Sequence, residues 1–304
     1  MAFNVTGLVA YSKEVGFELM KSAIYKGQTA KHIRIVSGVG TSFKIPQITN
    51  TITLQADGCS LSSSGTTTFA QVTCTPCSPA YVNDLCVKDL QDYYTAEYLP
   101  ASQMNGEDMG SFEQVILDDT AGRLAKKIDE ILWSGDTTLS CTGFFGRIDT
   151  TYSGSVESVT YAAATGGTTT SNIIGLTDAM ITAYTFDAVE ETSSLWMSPS
   201  NYRKLLIAYR NANFYFDPNL DNREGFLIPG SLGVYARPTV GIGTDKRLVL
   251  TWDKNLIMGT RSEEDLSKLE VKYDDFNQVI RIYGAWAQDS QFAYPAQVYS
   301  WVIA

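Results

Sequence analysis

The strongest constraint on the fold lies between residues 33 and 90, where a long β excursion has nothing of its own to rest on. Within 48–55, Ile48, Ile52 and Leu54 alternate with Thr49, Thr51 and Thr53, the period-two pattern of a strand with one apolar face. A Gly/Ser/Thr-rich tip follows at 59–65, a second alternating run spans 67–75, and Pro76 and Pro79 end it. The pattern predicts a two-stranded arm with a flexible tip. A lone hairpin is marginal in water. The rest of the chain offers it no obvious surface, so a partner subunit is the expected support.

The segments around the arm read as a mixture of helices and strands. Before it, Ser12 caps a predicted helix over 13–25, with Phe17, Met20 and Ile24 on one face and Gly27 as the stop. After it comes the clearest helix, 111–134. Ser111 and Gln114 form a capping-box pattern, the apolar positions from Phe112 to Leu132 recur at helical spacing, and Gly135 closes it. A second helix is predicted over 173–190, a short buried strand over 194–197, and a third helix opening at Ser198-Pro199. Strands follow near 232–242, 247–252, 255–259, 269–273, 278–288 and 295–302. Strands and helices in this mixed order predict an α+β fold.

Chemistry is sparse. The only histidine is His32, just ahead of an arm strand, and no HExxH, Walker A or GxSxG motif occurs. Gly38-Val39-Gly40 lacks the third glycine and following helix of a dinucleotide loop. The carboxylate pairs Asp118-Asp119, Glu190-Glu191 and Glu263-Glu264 are sequence neighbours, which face apart on a helix and suit solvated surfaces better than paired acid–base work. No catalytic residue, cofactor site or metal site is expected, and the chain is not expected to be an enzyme. The net charge of −10 argues against a protein that grips nucleic acid. Charge is uneven, however: residues 1–56 hold six Lys/Arg and two acids, the remainder 17 basic and 31 acidic side chains. A basic opening segment suits contact with an acidic surface, such as a neighbouring copy. No signal peptide or membrane-spanning run is visible. Folding in a cytosol is expected, with the cysteines reduced at that stage.

The sharpest local feature is Cys74-Thr75-Pro76-Cys77, flanked by Cys59 and Cys86. Four thiolates can hold zinc, but a zinc ribbon uses two CxxC pairs and this chain has one. A redox CxxC opens a helix, whereas this one lies in β context beside a proline. Ordinary free thiols are the expected state of Cys59, Cys74, Cys77 and Cys86, with a metal or a late disulfide as the alternatives.

The order of elements resembles that of the major capsid proteins of tailed bacteriophages, which share the Hong Kong 97-like capsid fold. Local wording supports the likeness. It appears in the helix end Ile131-Leu132-Trp133-Ser134-Gly135 before Gly143-Phe144-Phe145-Gly146, and in the step Trp196-Met197-Ser198-Pro199. It continues in Ile228-Pro229-Gly230-Ser231 with Arg237-Pro238-Thr239-Val240, in Trp252-Asp253-Lys254-Asn255, and in the closing stretch through Phe292-Ala293-Tyr294-Pro295. The resemblance points in particular to phages infecting Bacteroidetes. It implies an N-arm at 1–32, an E-loop hairpin and its return at 33–92, and a P-domain at 93–150 with the spine helix 111–134. It further implies an A-domain at 151–262 and returning strands of both domains at 263–304.

The function so implied is self-assembly. Hexamers and pentamers of this chain would form an icosahedral shell around double-stranded DNA, in a virion assembled in the bacterial host cytoplasm. Portal, scaffold, decoration or auxiliary capsid proteins would be partners, the DNA would be enclosed without sequence-specific contact, and no membrane is involved. Many relatives carry a removable scaffolding segment ahead of the N-arm. This sequence enters the arm at once, so a separate scaffold or none, and no cleavage, is expected. The rival readings are an encapsulin-like compartment with enzyme cargo, a β-rich secreted hydrolase and a monomeric binding module.

Overall fold

The structure is a computed structural model, and it describes residues 28–38, 42–51, 54, 65–86, 109–164, 166–185, 192–212, 224–243, 246–261, 268–274, 276–277 and 279–302. The predicted helix over 13–25, the arm tip and most of the loop over 213–224 lie outside these residues. No described helix is long and apolar enough to cross a membrane.

The described residues form four sheets. Strands β1 (Arg34–Val36), β10 (Leu256–Thr260) and β13 (Gln288–Phe292) make one, with β1 parallel and β13 antiparallel to β10. β4 (Ala80–Cys86), β11 (Lys268–Asp274) and β12 (Val279–Ala285) make a second, fully antiparallel and centred on β12. The third has six strands in the order β5 (Glu157–Ser158), β14 (Tyr299–Val302), β9 (Arg247–Trp252), β6 (Ser193–Met197), β8 (Val234–Pro238) and β7 (Phe226–Leu227). The fourth is the ribbon of β2 (Phe43–Thr51) and β3 (Thr66–Cys74). Helices α1 (Met109–Ser134), α2 (Ile173–Ala183) and α3 (Pro199–Asn211) are the long helices among the described residues, and the fold is α+β.

α1 is amphipathic for the reason its spacing suggests. Ala121, Leu124, Ala125, Ile128, Ile131 and Leu132 are buried on one side, and Arg123, Lys126 and Lys127 are exposed on the other. Its end needs glycine. Gly135 has φ +73°, and a Cβ there would sit 2.6 Å from both the Cys141 carbonyl oxygen and the Gly143 nitrogen. Trp133 in the last turn packs against Phe144, Phe145 and Trp196, at ring-centroid distances of 5.2, 5.6 and 5.7 Å. Phe144 in turn meets Phe292 of β13 at 5.2 Å. This aromatic chain ties α1 to the six-stranded sheet on one side and to β13 on the other.

A second core lies on the other face of the six-stranded sheet. There Ile173, Leu176 and Met180 of α2 and Leu205 of α3 pack with Leu195, Met197, Leu248 and Leu250. β6 and β8 run parallel, joined through α3. α3 starts where its sequence signals it: Ser198 Oγ accepts from the Asn201 backbone N–H at 3.2 Å, and Pro199 occupies the first turn.

Other boundaries differ from the sequence-based expectation. α2 stops at Ala183, where Tyr184 turns to an extended conformation. The strand predicted over 278–288 is two strands in different sheets, β12 and β13, separated at Trp286-Ala287. The arm also differs. Its return, β4, does not follow the ribbon outward but pairs along its whole length with β12.

Candidate assembly surface

The β2–β3 ribbon has two faces with opposite fates. Ile45 and Val72 are register partners and share one face. Both are buried, and Ile45 belongs with Cys74, Ile257 and Ala293 to a small core at the ribbon root. Ile48 and Phe69 are also register partners, on the other face by the alternation of the strands. They are 55% and 75% exposed, and Leu54 beyond them is 90% exposed. The ribbon is therefore not wholly dependent on a neighbour, as the sequence suggested. Its root docks on its own chain, through odd-numbered positions of β2 whose role the Thr/Ile alternation does not reveal. Among the described residues, nothing apolar covers its opposite face.

Polar contacts clamp the root. Gln47 Nε2 donates to the Ala293 carbonyl, Gln291 Nε2 donates to the Thr73 carbonyl at 3.0 Å, and the Thr75 N–H donates to Asp289 Oδ2 at 2.7 Å. Asp289 also pairs with Arg147 at 3.1 Å. Burial pushes the Asp289 carboxyl upward while Arg147 pulls it down. A cleft of mixed polarity beside this clamp is lined by Gln47, Gln71, Val72, Arg147, Tyr152 and Pro295 among others, with a volume of about 470 Å³. Pro46 within β2 removes a donor from the strand.

Two turns present further apolar side chains. Leu232 is 88% exposed at φ +54°, a conformation that disfavours a Cβ. Its turn is fixed by buried Ser231, whose hydroxyl lies 2.7 Å from the Ile228 carbonyl and accepts from the Val234 N–H at 3.1 Å. Phe276 is 94% exposed. Its turn is fixed by Asp274, which accepts from the N–H groups of Phe276 and Asn277 at 3.1 and 3.3 Å. A single exposed leucine is ordinary. In this chain, structured turns and a ribbon hold large apolar groups outward at separate points.

Buried polar joints tie α1, the segment around β8 and the residues before β1 together. Asp129 of α1 accepts from Thr239 Oγ1 at 2.5 Å and from the Gly241 N–H at 3.0 Å. Burial raises its pKa against the pull of those bonds. Gly241 allows the close approach, because a Cβ there would lie 2.2 Å from the Asp129 carbonyl oxygen. Thr29 joins the same centre, accepting from Trp133 Nε1 at 2.8 Å. Arg237 forms a second joint, donating from Nε to Ser194 Oγ at 2.7 Å and reaching Asp253 Oδ2 at 3.4 Å. His32 lies at this joint, its Nε2 at 2.9 Å from Arg237 Nη1. Since the guanidinium can only donate, Nε2 accepts and the ring is neutral with its proton on Nδ1. Burial first, then Arg237, lowers the His32 pKa to about 4. The geometry makes His32 an acceptor in a structural joint.

The free-thiol expectation fails at Cys77, which forms a disulfide with Cys141. That expectation rests on thiols within the arm, and Cys141 lies 64 residues away on the loop after α1. Cys74 is free and buried, and Cys86 is free and half-buried. Among the described residues, no group of three or more His, Cys, Asp or Glu side chains could hold a metal ion.

The chain carries the α+β Hong Kong 97-like capsid fold, the fold of a class of shell-forming proteins. A chain of the satellite phage P4 procapsid, a particle that includes the size determination (Sid) protein, superposes with a TM-score of 0.59 at 11% identity. That match covers 94% of this chain and 89% of the other. The capsid of an empty GTA particle gives 0.58 at 16% identity, covering 93% and 90%. A virus-like particle from Pyrococcus furiosus gives 0.54 at 12% identity, covering 95% and 98%. No protein-family model matches the sequence, and no curated protein matches it.

Proposed function

We propose that this protein is the major capsid protein of a tailed bacteriophage. It assembles with copies of itself as hexamers and pentamers into an icosahedral shell, which encloses double-stranded DNA in the virion. Assembly takes place in the host cytoplasm, with a portal and, where used, scaffold or decoration proteins as partners. The observation that carries this reading is the ribbon. Its root is clamped to its own subunit, while the Ile48–Phe69 face stands uncovered. Covering large apolar groups is worth about 25 cal/mol per Å² removed from water, and a neighbouring copy supplies that cover in a closed shell. The function resides in interfaces, and no catalytic role is assigned to any residue.

The test is expression of the full chain followed by electron microscopy and size-exclusion chromatography. Closed shells containing both five- and six-fold capsomers are expected. A stable monomer that never associates would overturn the reading. The alternative reading is a compartment of the same fold that holds enzyme cargo. Nuclease-protected DNA in native particles separates the two.

A further inference from the structure

The CxxC of the arm has no part in the assembly reading, and the fold divides it. Cys74 ends β3 fully buried, and burial together with Asp289 pushes its thiol up to about 12. Cys77 is only partly buried and faces Cys141, at a Cα–Cα distance of 5.3 Å. Backbone hydrogen bonds set that meeting. Cys77 and Gln288 exchange two N–H···O bonds of 3.0 Å, and Cys141 and Asp136 exchange two of 2.8 and 2.9 Å. Neither bridge involves sulfur. Each sulfur also has a carbonyl within reach of a thiol. Cys77 Sγ is 3.2 Å from the Gln288 oxygen, and Cys141 Sγ is 3.6 Å from the Leu139 oxygen. In a reduced chain both S–H groups thus have acceptors, and the backbone holds the pair together without the bond.

We propose that Cys77 and Cys141 form a covalent staple installed after the subunit has folded as a dithiol, by exchange with a low-molecular-weight disulfide outside the reducing cytosol. The Cys77 thiolate, more exposed than Cys141, attacks one sulfur of the small disulfide. That S–S bond breaks, one small thiolate leaves and takes a proton from water, and Cys77 carries a mixed disulfide. The Cys141 thiolate then attacks the Cys77 sulfur and expels the second small thiolate. The protein dithiol loses two electrons and two protons, and one small disulfide becomes two small thiols. Cys74 is shielded from the reagent and takes no part. The staple joins the arm root to the loop that ends α1, at a point where the ribbon beyond remains free to meet a neighbour.

The test starts from full-length chain made in a reducing cytosol and alkylated at lysis. Peptide mapping of the chain alkylated under denaturing conditions is expected to show label at both Cys77 and Cys141, and unquenched, reduced protein to give a folded circular-dichroism spectrum. Oxidised glutathione is then added to that reduced protein. Peptide mapping without reductant is expected to show a Cys77–Cys141 cross-link with Cys74 still a thiol. The Cys141→Ser variant is expected to stop at a glutathione adduct on Cys77. A chain already bridged at lysis, a cross-link or adduct on Cys74 instead, or a reduced chain that is unfolded would each overturn the proposal. Should the variant fail to fold, the wild-type map decides alone.

Discussion

Strand β13 and the outer ribbon invert what hydropathy alone would predict. β13 reads Gln-Asp-Ser-Gln-Phe, yet all five residues are buried. The ribbon carries Ile48 and Phe69, yet both are exposed. The difference lies in what completes each one. Every polar side chain of β13 has a partner inside the chain: Gln288 accepts from Trp286 Nε1, Asp289 pairs with Arg147, Ser290 donates to the Thr142 carbonyl, and Gln291 donates to the Thr73 carbonyl. Polar groups can be buried at little net cost when fully bonded. Among the described residues, the apolar face of the ribbon has no such completion. Strand interiors are settled during folding, and the proposed function gives the ribbon's outer face its cover in assembly.

Removing an apolar anchor from the settled side should have the largest effect on folding. Phe292 is wholly buried against Phe144 and Tyr152. Phe292→Ala is expected to cost about 3–5 kcal/mol, read as a fall in the urea midpoint at unchanged slope. Next is Asp289→Ala, which strands a largely buried Arg147 and the Thr75 and Ser290 N–H groups. The expected loss is about 3 kcal/mol. Because Asp289 bonds to the ribbon root, limited proteolysis should also open the chain near residue 75 faster in this variant. Equal cleavage would mean that the root is held by its apolar contacts alone.

The sequence makes the elements of regular pattern legible. Ser198-Pro199 announces α3, and the spacing of Leu124, Ile128 and Leu132 announces α1, whose start at Met109 lies two residues before the capping-box pattern suggests. β13 is not separable from β12 by pattern, because a buried strand of polar residues has no periodicity to read. Its burial depends on Arg147 and Thr142, about 140 residues away. The Cys77–Cys141 bond is hidden for the same reason: the Cys77–Gln288 bridge, between residues 211 apart, places Cys77 beside the loop after α1. The ribbon's alternation is visible, but which face docks is not, since Ile45 and Ile48 are equally apolar and distant residues such as Ala293 and Ile257 distinguish them.

Acid should weaken the joint that carries the frame. His32 has a folded pKa of about 4 against 6.5 in an unfolded chain, so folding favours the neutral ring. Its contribution is complete above pH 6.5 and is lost as pH falls from there towards 4. Arg237 and Lys31 oppose protonation, and Glu224 favours it. Asp129 and Asp289, whose pKa values are raised, act in the opposite direction. Comparing wild type with His32→Gln isolates the ring. Wild type should lose stability between pH 6.5 and 5 relative to the variant, by at most about 1.4 kcal/mol per pH unit for one proton, reduced by solvent access to a half-buried ring. Parallel curves would place His32 outside the joint's energetics.

The smallest effect on folding should accompany the clearest effect on assembly. Phe69→Ser removes an exposed ring from the uncovered face, away from the Ile45–Val72 contact, so its cost to the subunit should be within about 0.5 kcal/mol. Ile45→Ser, three residues from Ile48 but on the docked face, should cost several times more. If both faces served only the subunit, the two variants would differ in folding and agree in assembly. If the outer face meets a neighbouring copy, Phe69→Ser folds normally and yields few or no shells by electron microscopy. Normal shells from Phe69→Ser would show that the uncovered face is not an assembly contact, and the ribbon would then be explained by its root alone.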